Sequence, residues 1–466
     1  MIRSRTVRPG ATLSRPAAAV VLSVMTILLL AAPVAAAGEP LGVIVDPDVG
    51  PSNLWIPASG TGGDVANDVA VDSAGTAYVC GQQQSATHGF DGTLVKISAS
   101  GLAWTSIWDG HAHADDFFYA VAGGSHNVVY TAGTTTKADG TRDMVVVKWS
   151  SGGDVLWSRR YSGPVAGNDG TGDVVVDSRG NVVVCGASLG GPGLAFTAVS
   201  WTPDGERRWV YRSYGEDAGD TSYGRAEAMA AAGSGVVYVV GTAEGRAGIG
   251  AAHVVKLSSR GTSLWTRSYE GGDGAAFEDT VARRGGGVYV CGWTFDGVEG
   301  VSDGLVARYS ASGGRLLFDW PASRDVTFRA LAVAPGGTLC AAGKRTVGGT
   351  DDFRYRVLYN AATGAVISGV AWPRTHDEEI VDVAADDFGG VYLVGTDAVT
   401  AAHTAIVTWR EPTITGGSMW TGPYGGDVVG LHRPEAIATW KSTAWVVGSV
   451  VRAGSGRDQV VLKYLY

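Results

Sequence analysis

Short apolar runs rich in valine, alanine and tyrosine alternate with polar clusters of glycine, aspartate and serine from Gly62 to the end of the chain. Runs of this length, β-branched and bounded by turn formers, predict strands. They recur in a fixed order. A first run (Val69-Ala-Val-Asp72, Asp173-Val-Val-Val-Asp177, Val383-Ala-Ala-Asp386) leads into D-S-x-G or a relative. There the aspartate can hold an Asx turn and the glycine can take a positive φ. A second run such as Val237-Tyr-Val-Val240 follows, then a third (Met144-Val-Val-Val-Lys148, His253-Val-Val-Lys256). The fourth carries a tryptophan, as in Leu156-Trp157-Ser-Arg-Arg-Tyr161 and Leu264-Trp265-Thr-Arg-Ser-Tyr269.

The glycine that ends each second run falls at 81, 133, 186, 241, 292, 343, 395 and 448, spacings of 52, 53, 55, 51, 51, 52 and 53 residues. A period that regular marks one supersecondary unit repeated. Four antiparallel strands per unit make a propeller blade, which buries its faces only against neighbouring blades. The chain therefore reads as an all-β, eight-bladed propeller of four-stranded blades, with seven blades as the alternative. The eighth copy stops after Val460-Val-Leu-Lys463 without a fourth strand, and Asn53-Leu54-Trp55-Ile56-Pro57 matches the missing pattern. Pairing these two segments would lock the ring and hide two sheet edges.

Two repeat features have packing explanations. Gly153-x-x-x-Trp157, Gly205-x-x-x-Trp209, Gly261-x-x-x-Trp265 and Gly416-x-x-x-Trp420 place a large ring at one point of successive blades, where it can lie against its neighbour. Phe318 replaces the tryptophan in blade five and blade six has no aromatic there, so those blades should pack differently. Of the four cysteines, Cys80, Cys185 and Cys291 occupy one repeat position and Cys340 lies elsewhere. Equivalent positions in different blades are too far apart to bridge, so the cysteines are expected to be buried thiols.

Glycine is abundant, at 70 of 466 residues, without a collagen period; the excess belongs to turns. Residues 1–37 combine Arg3, Arg5, Arg8 and Arg15, an apolar stretch and an A-x-A ending, a secretory signal peptide. Residues 38–52 form a lead-in without repeat signal, and 53–466 form the propeller. Loss of the signal leaves 32 basic against 45 acidic residues, a formal charge of −13. Such a surface disfavours nucleic acid and anionic membranes. A secreted or cell-surface monomer follows, whose partner class is a cell-surface protein or glycan.

The chain resembles known families at two motifs. G-G-D-V-A-N-D-V-A-V-D-S-A-G-T-A-Y-V-C-G (Gly62 to Gly81) and G-T-G-D-V-V-V-D-S-R-G-N-V-V-V-C-G (Gly170 to Gly186) resemble the bacterial SBBP-type β-propeller repeat of secreted and cell-surface proteins. The resemblance implies the fold and leaves the activity open. The G-x-x-x-W endings are similar to the tryptophan-docking motif of quinoprotein (PQQ-type) propellers. Those enzymes add a metal site and a cofactor pocket, often with adjacent cysteines. This chain has no Cys-Cys pair, so the similarity implies the scaffold and PQQ is not expected.

Candidate chemistry lies in the loops from each fourth strand to the next first strand. They carry Asp64, Asp68, Asp116, Asp169, Asp173, Asp217, Asp220, Asp273, Asp279, Asp377, Asp382 and Asp427. Repeat geometry gathers these on one rim, where they serve turns and solubility or bind a divalent cation such as calcium. No loop is a D-x-D-x-D-G calcium loop. His111-Ala-His113-Ala-Asp115 is the most metal-like string, two histidines and a carboxylate able to take zinc or a related ion. A second acid set, Asp91, Asp143, Asp303, Asp352 and Asp458, precedes the third strands and is expected on the opposite side of the ring. No nucleophile elbow, H-E-x-x-H helix or phosphate loop is present. The reading is a non-catalytic binding or scaffold module, the alternative a propeller enzyme (hydrolase, lyase or quinoprotein-like) whose site is assembled from several blades.

Overall fold

The computed structural model describes residues 54–55 and 63–465, except 125–126, 192, 216–222, 246–247, 318–324, 348–350, 373–377, 401–402, 413–418, 425–428 and 454–455. They belong to one compact unit, Gly42–Tyr466. The expected signal peptide and lead-in lie outside the described residues.

Eight four-stranded antiparallel sheets follow one another along the chain. Blade one is Val65–Val71, Ala77–Gln84, Phe90–Ser98 and Gly101–Trp108. The first strands of blades two to eight begin at Asp116, Gly170, Arg225, Gly274, Val326, Ile380 and Arg433. Blade eight takes its outer strand from the other end of the chain: Leu54 pairs with Val461 and Trp55 with Val460. The ring thus closes non-covalently, as the missing fourth strand required.

Every first strand carries a β-bulge at the same place, and the bulge explains the repeating glycine. Ala66 pairs with Gly81, after which the register jumps so that Asp68 faces Cys80. The same jump recurs opposite Gly133, Gly186, Gly241, Gly292, Gly343, Gly395 and Gly448. A Cβ on Gly133 would lie 1.7 Å from the Phe117 carbonyl oxygen, and one on Gly186 1.9 Å from that of Gly170. The bulge pushes a carbonyl into the space a side chain would need.

Eight apolar clusters fill the eight seams between blades. Val69 and Val95 of blade one meet Trp445 and Val461 of blade eight; Cys185 and Phe196 of blade three meet Met229 and Val255 of blade four. All four cysteines are free and buried, and burial pushes their thiols up, Cys340 to about 12.

The tryptophans cap these seams from outside. Each indole N–H of Trp104, Trp157, Trp209 and Trp265 donates to a turn carbonyl of the following blade, at Ser151, Pro203, Ser259 and Ala311, over 3.0–3.3 Å. In blade eight Trp440, on the first strand, reaches Ser73 of blade one. Phe318 and the Trp420 side chain lie outside the described residues. The seam between blades five and six is held differently: the Tyr289 hydroxyl donates to Ala361 O at 2.8 Å and Arg308 to Ala362 O. Between blades six and seven, buried Arg354 pairs with Glu378 at 2.9 Å and Arg356 with Glu411 at 2.6 Å.

Candidate functional site

An antiparallel blade sends its second-to-third-strand loop and its exit loop out of the same end. The carboxylate of Asp91, at the start of a third strand, accordingly lies within 4.8 Å of those of Asp109, in the exit loop of its own blade, and Asp116, where the next blade begins. Likewise Asp169 N–H donates to Arg142 O and Glu378 N–H to Asp352 O. The second acid set therefore shares the face of the first, contrary to the expectation that it lies opposite. Strand alternation dictates this, because the third and fourth strands carry the chain away from that face and back to it.

Eight of the twelve rim aspartates are described, and all eight accept backbone N–H groups. Asp64 takes Gln84 N–H, Asp116 takes Gly110, Asp169 takes Gly163 and Leu189, and Asp273 takes Gly297, at 2.6–3.0 Å. These carboxylates stitch neighbouring loops on one face. Asp217, Asp220, Asp377 and Asp427 lie outside the described residues.

The other four form an inner set. Asp68, Asp173, Asp279 and Asp382 follow the bulge in blades one, three, five and seven. Each bridges to the next blade: Oδ1 accepts the N–H of the adjacent residue and Oδ2 that of Val121, Met229, Leu331 or Ile437, at 2.6–2.8 Å. The even blades place Ala120, Ala228, Ala330 and Ala436 at the equivalent position. The ring is thus four pairs of blades, the acid of one accepting the N–H that follows the alanine of the next. Burial raises all four carboxyls, Asp279 to about 6, Asp173 to about 7 and Asp382 to about 8. Their mutual repulsion adds to the shift in Asp173 and Asp382.

The bulge residue itself also differs between blades, being Asn67, Glu227, Glu278, Arg329 and Glu435 in five of them. Glu227 pairs with Arg225 at 2.8 Å, and Glu278 accepts the Trp293 indole N–H at 2.6 Å. Arg329 reaches Glu379 at 3.3 Å. Glu435, raised by burial to about 7 against the pull of Arg433 and Arg457, lines a cavity of ≈ 300 Å³ with Glu379, Thr396 and Arg433.

The metal-like string is split by its turn. His111 lines a separate cavity of ≈ 310 Å³ with Trp108, Lys137, Arg159 and Arg160, cationic company for a metal ligand. Asp115 accepts the Phe90 N–H and pairs with Arg142 at 3.3 Å. His113, at φ 49°, alone turns back onto Asp109, its Nδ1 2.5 Å from Oδ2. That hydrogen bond raises the His113 pKa. There it meets His88 from the second-to-third-strand loop, whose Nε2 lies 3.7 Å from the same oxygen. No spacing rule in the sequence links His88 to Asp109, because their proximity depends on which loops share a face.

No protein-family model matches the chain, and no curated protein matches it in sequence. The SBBP-type reading rests on the repeat motifs. Among solved structures, Sqt1 of Chaetomium thermophilum superposes with a TM-score of 0.54 at 13% identity, covering 89% of this chain and 98% of that one. That likeness shows the fold. A europium-containing methanol dehydrogenase (TM-score 0.47, 10% identity, 89% of this chain and 93% of that one) is more distant. So is the quinohemoprotein alcohol dehydrogenase ADHIIG from Pseudomonas putida HK5 (0.49, 10%, 92% and 78%).

Proposed function

We propose that this protein is a secreted or cell-surface binding module whose contact surface is the loop face. The apolar side chains exposed along the loops of that face carry the reading. Among the described residues, Val165, Tyr223, Phe295, Val298, Val429 and Leu431 are exposed on or beside the loops of that face, Val298 at 94%. At the opposite end Phe388 is exposed in a turn, and Leu102, Val155, Leu156, Leu264, Ile367 and Leu465 are exposed at strand ends, so it is their place on loops that sets the first group apart. Val165 and Val298 sit on loops that Asp169 and Asp273 already stitch together, which suits contact with a macromolecule at little ordering cost.

The test compares Tyr223→Ser/Val298→Asp/Leu431→Asp with Phe388→Ser in binding assays on purified cell-wall glycans and surface proteins. Binding lost in the triple variant alone supports the reading; equal loss in both, or in neither, overturns it. A second reading, a propeller enzyme, draws on Glu435: a buried carboxyl near pH 7 beside a cavity is suited to general acid–base work. Turnover of a glycoside or peptide panel that Glu435→Gln abolishes would establish it in place of the first.

A further inference from the structure

We infer that the seam of blades one and two binds one divalent transition-metal ion, of the zinc class, through His88, Asp109 and His113. The three ligand atoms lie within 4.8 Å of one another and come from two loops that the fold holds on one face. Tetrahedral zinc with nitrogen and oxygen ligands at about 2.0–2.2 Å needs ligand atoms roughly 3.3 Å apart. The 3.7 Å between His88 Nε2 and Asp109 Oδ2 is close to that spacing. The 2.5 Å between His113 Nδ1 and the same oxygen must open. The His113 side chain is 70% exposed and can swing to do so. Ser85 Oγ, 3.4 Å from His88 Nε2, is the group the ion would displace.

A second observation points to the same ligand. The Asp91 side chain is only 8% exposed, and its Oδ1 is buried without a hydrogen bond, 3.5 Å from His88 Nδ1. His88 Nδ1 is likewise buried without one. A metal on Nε2 fixes the tautomer that carries a proton on Nδ1, which then donates to Asp91. That is the carboxylate–histidine–metal relay by which proteins orient an imidazole ligand. Asp91 is thus a positioning residue and the two histidines and Asp109 the ligands. Asp116, whose ligand oxygen lies within 4.8 Å of those of Asp91 and Asp109, supplies further negative charge. Two imidazoles with one carboxylate favour zinc, cobalt or nickel over the all-oxygen preference of calcium. This inference stands apart from the binding reading above, and either can fail alone.

The test is titration of chelator-treated full-length mature protein with Zn²⁺ and Co²⁺ by calorimetry, with Co²⁺ absorption reporting geometry. One equivalent should bind, with a tetrahedral cobalt spectrum and a raised melting temperature. His113→Ala, at an exposed position, should abolish the spectrum while leaving the circular dichroism unchanged. Asp91→Asn should keep the stoichiometry and weaken affinity by about 10–100-fold. His111→Ala should change nothing. Absence of stoichiometric Zn²⁺ or Co²⁺ binding, affinity indifferent to His113→Ala, or binding of Ca²⁺ in preference to Zn²⁺ would overturn the assignment.

Discussion

Met229 donates its backbone N–H to Oδ2 of Asp173 over 2.8 Å, across the seam between blades three and four. Val174 N–H donates to the other oxygen. Asp173→Ala would leave both donors unpaired in an apolar seam, a cost of about 1–3 kcal/mol each. Asp173→Asn keeps one acceptor oxygen and should lose roughly half as much. Urea melts of the three proteins check the order.

The inner carboxyls also set a pH dependence. Their folded pKa values, about 6 for Asp279, 7 for Asp173 and 8 for Asp382, stand above the ordinary 3.8. The folded state therefore binds more protons than the unfolded chain over this interval. The contribution of these groups is fully present below about pH 4 and is lost as pH rises through 6 to 8. Asp382→Asn should flatten the fall between pH 6 and 8.5 in denaturant titrations. A wild-type stability no more pH-dependent than the variant's would contradict the linkage.

Gly186 faces the bulge of blade three, where an added Cβ would sit 1.9 Å from a backbone oxygen. Gly186→Ala should cost at least the upper end of the about 1–3 kcal/mol typical of overpacking. Gly191→Ala, with nothing within 4 Å of the added carbon, is the control expected to be nearly neutral. Thermal melts distinguish them.

Trp209 and Gly261 form the outer lock between blades three and four. A Cβ on Gly261 would meet the indole at 2.5 Å, and the glycine holds φ +76°. Trp209→Ala should cost about 2–4 kcal/mol for a half-buried ring and its hydrogen bond. Gly261→Ala adds clash and backbone strain. In the double variant the clash vanishes and the strain stays, so the sum of the single effects should exceed the double effect. Additive single effects would disprove the contact.

The closing strand gives a prediction about assembly. Removing residues 1–60 uncovers the edge of Gly456–Leu465 that Leu54–Trp55 covers. Lower melting temperature and concentration-dependent self-association in light scattering are expected, because an open strand edge templates pairing with another chain. A truncated protein that stays monomeric with an unchanged melt would rule this out.

The ring, its blade count and its closure were legible in the chain because each rests on local pattern. Turn chemistry, strand periodicity and the repeat of Gly81 to Gly448 are properties of neighbouring residues. The turns form as read: Asp72 Oδ1 holds Ala74 and Thr76, and Asp177 Oδ1 holds Arg179 and Asn181. Asp68, Asp173, Asp279 and Asp382 were visible as rim acids, and their recurrence at 105, 106 and 103 residues was there to be counted. Their role as inter-blade acceptors was not, since the donors lie one blade further on. The meeting of His88 with His113, and the separation of His113 from His111, were decided only by tertiary structure. Loop proximity follows from which ends of the strands share a face, and a left-handed turn at His113 decides which imidazole comes back to Asp109.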